Sequence, residues 1–313
     1  MFSLNDKIVN WLLEGDPSIR WQVFKYLLEK PAHIVEEERN KISKFGWGKS
    51  LLDLQDTNGT WANGLYNPKW TSTTYTLLLL KRLGLIPGNP SALKGNELLI
   101  DKGFYPDGGI NFFKSLNYSE TCVTGMVLMI LSYFKLNTEK VHILANHLLE
   151  KQMDDGGWNC RLPLGATHSS FHTTIIALEA LYEYEVSYPK HKKIISSARS
   201  IGHEFLFQHK LFKSHKTGKV IKSQFTRFSF PPRWYYDVLR AMDYFSLSNT
   251  SFNTGMRDAL QIIIKKQNSD GTWNLQQKHP GKVFFEMETV GKPSRWNTLR
   301  ALRILKFYSA FLL

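Results

Sequence analysis

The chain has 313 residues, of which 42% are hydrophobic and 13% aromatic. That length suits one large closed toroid or barrel, and that composition excludes a disordered polymer. Forty Lys and Arg against 27 Asp and Glu leave a net charge of +13, a balance found in nucleic-acid binders, proteins on anionic membranes and enzymes of phosphorylated substrates.

The N-terminal segment carries Asp6, Glu14 and Asp16 where a secretory leader would be continuously apolar. No apolar run reaches the roughly 20 residues of a membrane span. Two cysteines, Cys122 and Cys160, are too few for a disulfide framework. Together these features predict a cytoplasmic protein.

In chain order, the apolar periodicity predicts six pairs of helices in a single domain over residues 1–313. The first pair covers Leu4 to Glu14 and Pro17 to Glu29, and the second runs from Glu36 to Leu83. The third spans Ser91 to Phe134 and the fourth Glu139 to Tyr184. The fifth spans Lys190 to Phe245 and the sixth Phe252 to Tyr308. In each pair the first helix is amphipathic and the second is apolar on most faces, so the second belongs inside. Inner helices are expected near 71–83, 120–134, 172–184, 233–245 and 295–307. An open solenoid would leave polar positions on a concave face of these helices, so an all-α closed ring, an (α/α)6 toroid, is the predicted architecture.

A repeat underlies the pairs. Gln55-Asp-Thr-Asn-Gly59-Thr-Trp61 returns as Gln152-Met-Asp-Asp-Gly156-Gly-Trp158 and as Gln267-Asn-Ser-Asp-Gly271-Thr-Trp273. Each joins an outer helix to a Gly-containing turn that supplies positive φ and ends the helix. A degenerate copy, Pro106-Asp107-Gly108-Gly109-Ile110, places Ile where Trp would stand. Gly59 and Gly108 lie 49 residues apart, Gly108 and Gly156 lie 48 apart, and 115 residues, about two periods, separate Gly156 from Gly271. These Gln and Trp residues are expected to brace the scaffold.

The Gln-x3-Gly-x-Trp element resembles the QW motif of squalene–hopene and related triterpene cyclases, and it also marks the β subunits of protein prenyltransferases. The resemblance spans roughly Ser50 to Tyr308 and implies the same toroid. It does not extend to the Asp-x-Asp-Asp acid of the cyclases, which is absent from the sequence, so cyclisation by protonation is not expected. The prenyltransferase resemblance implies a zinc site instead. Glu120-Thr121-Cys122 opens the third inner helix where that family has Asp-x-Cys, and Phe171-His172-Thr173 opens the fourth where it has Tyr-His-Thr. Glu120, Cys122 and His172 are the implied ligands, with Cys160 and His168 as alternatives; carboxylate, thiolate and imidazole with one open position form a catalytic zinc set.

Three inner helices also share an opening: Pro68-Lys69-Trp70, Pro232-Arg233-Trp234 and Ser294-Arg295-Trp296. Cations at helix N-termini oppose the helix dipole, and a bound anion would reconcile them. Lys69, Arg233 and Arg295 are therefore expected around one mouth, with Trp70, Trp234 and Trp296 as an apolar wall below. The function expected is an enzyme or binder for an isoprenoid or other amphiphilic anion in the central cavity, with zinc as candidate cofactor. A lipid- or protein-binding toroid without catalysis, and a carbohydrate-active (α/α)6 enzyme working through paired carboxylates, are the alternatives. The stretch from Phe205 to Tyr236 holds seven Lys and Arg and no acid, which suits a flap over the mouth or contact with an anionic membrane surface. It contains no nucleic-acid recognition motif, and no nucleic-acid partner is expected.

Overall fold

Thirteen α-helices account for the regular structure in the computed structural model, which describes residues 4–136 and 138–311. Among the described residues there is no β-strand, only isolated bridges. Helix α1 (Asp6–Leu13) is followed by α2 (Pro17–Gln22), which starts at an Asp16 cap accepting from Ser18 N at 2.8 Å and is continued by a π turn over Val23–Leu27. Next come α3 (Ala32–Asn40), α4 (Gly46–Leu52), α5 (Thr73–Leu83), α6 (Pro90–Gly103) and α7 (Thr121–Tyr133). The remainder are α8 (Glu139–Glu150), α9 (Phe171–Ser187), α10 (Lys192–Gln208), α11 (Val238–Leu247), α12 (Arg257–Lys265) and α13 (Arg295–Phe307).

Six of these make an inner ring: α2, α5, α7, α9, α11 and α13. Neighbours α5, α7 and α9 pack in sequence, Arg240 of α11 reaches Glu179 of α9 at 2.7 Å, and α11 packs on α13. The ring then closes, because Arg303 of α13 donates to Gln22 Oε1 at 3.1 Å and Trp21 Nε1 donates to the Leu83 carbonyl of α5 at 2.8 Å. The architecture is the all-α toroid that the sequence predicts.

The repeat has one geometry in all three full copies. Trp61, Trp158 and Trp273 are fully buried, and each indole donates to an outer-helix carbonyl ten residues earlier, Leu51, Leu148 or Ile263, at 2.7 Å. Each Gln side chain donates to its own turn glycine carbonyl, and Gln55 and Gln152 also reach the next outer helix, at Ser91 O and Ala198 O. The backbone N–H of each Trp is accepted by a threonine hydroxyl of the following inner helix: Thr73, Thr174 or Thr298. The degenerate copy keeps this last bond, from Ile110 N to Thr124. Gly202 of α10 lies so close to Trp158 that an added Cβ would sit 2.7 Å from its ring.

Two boundaries differ from expectation. The inner helix expected at 233–245 begins at Val238, because Asp237 captures the start by accepting from Arg240 N at 2.8 Å, leaving Arg233 in a turn at φ 55°. Likewise α5 begins at Thr73 after Ser72, so Lys69 and Trp70 precede the helix. In the second pair the outer segment is divided into α3 and α4, and α4 begins at Gly46, whose φ is 66°.

Candidate functional site

The axis of the ring holds a cavity of about 840 Å³. At one end its lining residues are Phe230 and Trp296, 6% and 2% exposed, near the N-terminal ends of the inner helices. At the other end Val186 and Phe307, 59% and 40% exposed, form the rim with Lys25 and Glu29. The cavity therefore opens where the inner helices terminate.

Its wall is charged as well as aromatic. Glu179 lies between two arginines, bonded by Arg240 at 2.9 and 2.7 Å and by Arg82 at 3.0 Å. Asp243 lies between two others, bonded by Arg303 at 2.6 Å and Arg300 at 3.3 Å. Burial alone would raise the Glu179 carboxyl, but Arg240 and Arg82 outweigh it and hold it down at about 2. The residues lining the cavity include seven basic side chains, Lys25, Arg39, Lys81, Arg82, Arg300, Arg303 and Lys306, against four carboxylates, Glu29, Glu179, Glu183 and Asp243. Tyr26, Tyr133, Tyr182 and Tyr244 fill the spaces between.

These residues are the paired inner-helix acids that the sequence reading did not find. Their environment argues against glycosidase-type chemistry, which needs one carboxyl held protonated as an acid; Glu179 is held ionised. The missed signal was helical spacing within otherwise apolar helices. Glu179 and Glu183 are four apart in α9, and Trp296, Arg300 and Arg303 follow at four and seven in α13, one face of each helix.

The opposite, N-terminal face is covered by the strap 276–293. Trp70 N donates to Lys282 O at 2.7 Å, Lys282 N returns a bond to Lys69 O at 2.9 Å, and the Trp70 indole donates to Pro280 O at 3.0 Å. His279 stacks on Tyr235 with ring centres 3.9 Å apart. Beneath the strap, Lys69 lies 5.8 Å from the Trp234 ring centre and Arg233 lies 5.5 Å from that of Trp70. Burial lowers Arg233 to about 10. Four of the six predicted binding residues thus cluster.

Arg295 does not join them, which corrects the expected three-cation mouth. Its guanidinium lies 4.6 Å from the Trp11 ring centre, its Nε donates to Trp11 O at 3.0 Å, and Glu14 is 3.7 Å away. One residue further on, the helix turns Trp296 inward, stacked on Phe230 at 4.1 Å. The basic segment after α10 does reach this face, where Phe225 packs against His172 at 5.5 Å while Lys216, Lys219 and Lys222 are exposed.

Ligand atoms of Glu120, Cys122 and Cys160 lie within 4.8 Å of one another. A hydrogen bond from the Cys122 thiol lowers Cys160 to about 7, and the same bond together with burial raises Cys122. Burial raises Glu120, partly offset by nearby Lys69. His172 is not part of the group: its Nδ1 accepts from Tyr236 N at 2.9 Å and its ring packs edge-on against Trp234. Burial lowers it to about 4. His168 is exposed on the loop and also lies outside. Of the implied ligands, Glu120 and Cys122 meet the alternative Cys160. Two sulfurs and one carboxylate oxygen fit zinc in donor chemistry.

No family profile matches the chain, and no curated protein matches it. Among the described residues no helix is long and apolar enough to cross a membrane. Among solved structures, the chain is similar to a protein from Actinoplanes (17% identity, TM-score 0.47, covering 94% of this chain and 90% of that one). It is also similar to the type II terpene cyclase MstE from Scytonema, at 15% identity and TM-score 0.49 over 98% of both chains, and to a variant of that cyclase in complex with geranylgeranyl dihydroxybenzoate, at 15% identity and TM-score 0.48 over 98% of this chain and 97% of that one.

Proposed function

We propose that this toroid binds an amphiphilic anion, of the isoprenoid phosphate class, in its central cavity. The observation that carries the reading is the cavity itself: about 840 Å³, walled by four tyrosines and floored by Phe230 and Trp296, with seven basic side chains against four carboxylates in its lining. An apolar ligand alone would leave that charge unanswered, and a small inorganic anion would leave the aromatic surface unused. Field lines concentrated in such a low-dielectric cleft favour an anionic ligand. The resemblance to terpenoid cyclases and prenyltransferases supports the isoprenoid class. Calorimetric titration with farnesyl phosphate, farnesol and inorganic phosphate tests this. Farnesyl phosphate should bind at least about 10-fold more tightly than either fragment, as expected when charge-assisted contacts and apolar burial act together. Equal affinity for farnesol and farnesyl phosphate would discard the anionic part of the reading.

A second reading, metal-dependent catalysis, is favoured by the Glu120, Cys122 and Cys160 group. These residues would hold zinc, which when bound would activate a thiol or water in its open position. Lys69, Trp70, Arg233 and Trp234 would then bind a substrate head beside it, under the strap. Elemental analysis of protein purified without chelators should find zinc at one per chain, lost in Cys122→Ala; metal-free protein would remove this reading and leave the first intact.

A further inference from the structure

We infer that Trp296 and Arg300 form an oxyanion subsite at the closed end of the cavity, which seats a phosphate monoester head while the apolar tail runs toward the open rim. The inference rests on the amphiphile reading above and assigns its orientation. Trp296 and Arg300 are four residues apart on α13, so they lie on one face of the helix, and both line the cavity. Trp296 is 2% exposed and Arg300 is 4% exposed, yet Trp296 Nε1 and Arg300 Nη2 find no acceptor among the described residues. Buried donors are almost always satisfied. Two unsatisfied ones a single turn apart, in residues lining the same cavity, point to an acceptor supplied from outside the chain.

The chemistry of that acceptor follows from the donors. Indole and guanidinium donate and cannot accept, so the ligand atom must be an oxygen with free lone pairs. The remaining nitrogens of Arg300 are already committed: Nε to Asp243 Oδ2 at 3.3 Å and Nη1 to the Ser229 carbonyl at 3.0 Å. Those bonds hold the guanidinium in place and leave Nη2 as the free donor. Trp296 is held likewise by its stack on Phe230. The cavity lining carries more basic side chains than carboxylates, seven against four, which favours a phosphate monoester dianion over a carboxylate with its single negative charge. At the far end, exposed Val186 and Phe307 offer apolar surface to the tail. Charges at the rim are largely paired there, Glu29 with Lys306 at 2.7 Å and Lys81 with Glu183 at 2.8 Å.

The test uses Trp296→Phe, which removes the indole N–H and keeps a ring to stack on Phe230. Titrated with farnesyl phosphate, this variant should bind about 10-fold or more weakly than wild type, the typical loss of a hydrogen bond to a charged group, and phenyl phosphate should lose a similar factor. Farnesol affinity should not change. Arg300→Lys should reproduce the loss, and a matched thermal midpoint for Trp296→Phe shows that the fold survives. A farnesyl phosphate bearing a fluorophore at the end remote from the phosphate should still bind, because that end emerges at the rim. Undiminished farnesyl phosphate binding by a folded Trp296→Phe variant overturns the subsite and leaves the amphiphile reading standing. Rejection of the end-labelled ligand, with the unlabelled one bound, overturns the orientation. Trp296-dependent phenyl phosphate binding that gains nothing from a tail supports the subsite and removes the amphiphile. Failure of every phosphorylated probe to bind overturns both.

Discussion

The two ends of the toroid are built on different principles. At the floor and wall of the cavity, carboxylates are clamped by more arginines than they neutralise: Glu179 and Asp243 each lie between two, and every bond crosses from one inner helix to another. On the N-terminal face, Lys69 and Arg233 lie against aromatic rings instead, and the groups with shifted protonation include the Glu120 carboxyl and the two thiols as well as Arg233 and His172. The contrast teaches that in this fold a buried charge marks a site where it leaves a donor without a partner, as at Arg300 Nη2. A carboxylate clamped by two guanidiniums ties helices together, whereas the two thiols lie beside a carboxyl and Lys69, with the Cys160 thiol lowered to about 7.

That contrast can be broken by mutation. Asp243→Ala should cost the most, roughly 3–5 kcal/mol, because it strands Arg300 and Arg303 in the interior; chemical denaturation measures it, and a loss under 1 kcal/mol would mean the arginines already find water. Trp158→Ala should cost a similar or slightly smaller amount, about 3–5 kcal/mol for a large-to-small change, with little change in ligand affinity of the folded fraction. The Glu179 clamp predicts a pH effect of roughly 3 kcal/mol. Its folded value, about 2, lies below the ordinary 4.5, so its stabilisation is complete above the ordinary value and is lost as pH falls toward 2. Glu179→Gln should flatten the acid limb of the stability profile; an unchanged limb would contradict the clamp. Smallest in stability is Cys160→Ser on the opposite face. It should change folding by less than about 1 kcal/mol, yet abolish alkylation by iodoacetamide near pH 7, where Cys160 is the readily ionised thiol.

The fold was legible because it repeats. Three Gln-x3-Gly-x-Trp copies placed the outer-to-inner turns, and the threonines that complete each brace, Thr73, Thr174 and Thr298, follow them at varying distances and so were not visible as a motif. The expected start of α11 at 233 failed because Pro232 looked like a helix-initiating residue, while Asp237 beyond it made the stronger cap. Arg295 was misplaced for a related reason: sharing a tripeptide with Lys69 and Arg233 does not give it their phase, since only Arg295 is helical. The thiol group was half legible, Cys122 and Glu120 from the resemblance and Cys160 as an alternative, because a loop decides which residue returns to the helix start. The cavity charges were missed because each helix was read for its apolar face and its few polar positions were not aligned across helices.

The most direct measurement is a crystal structure of the protein grown with farnesyl phosphate. The account predicts density in the central cavity, with phosphate oxygens within hydrogen-bond distance of Trp296 Nε1 and Arg300 Nη2 and the tail running out past Val186 and Phe307. An empty cavity, with the ligand held instead beneath the strap beside Lys69 and Arg233, would contradict it.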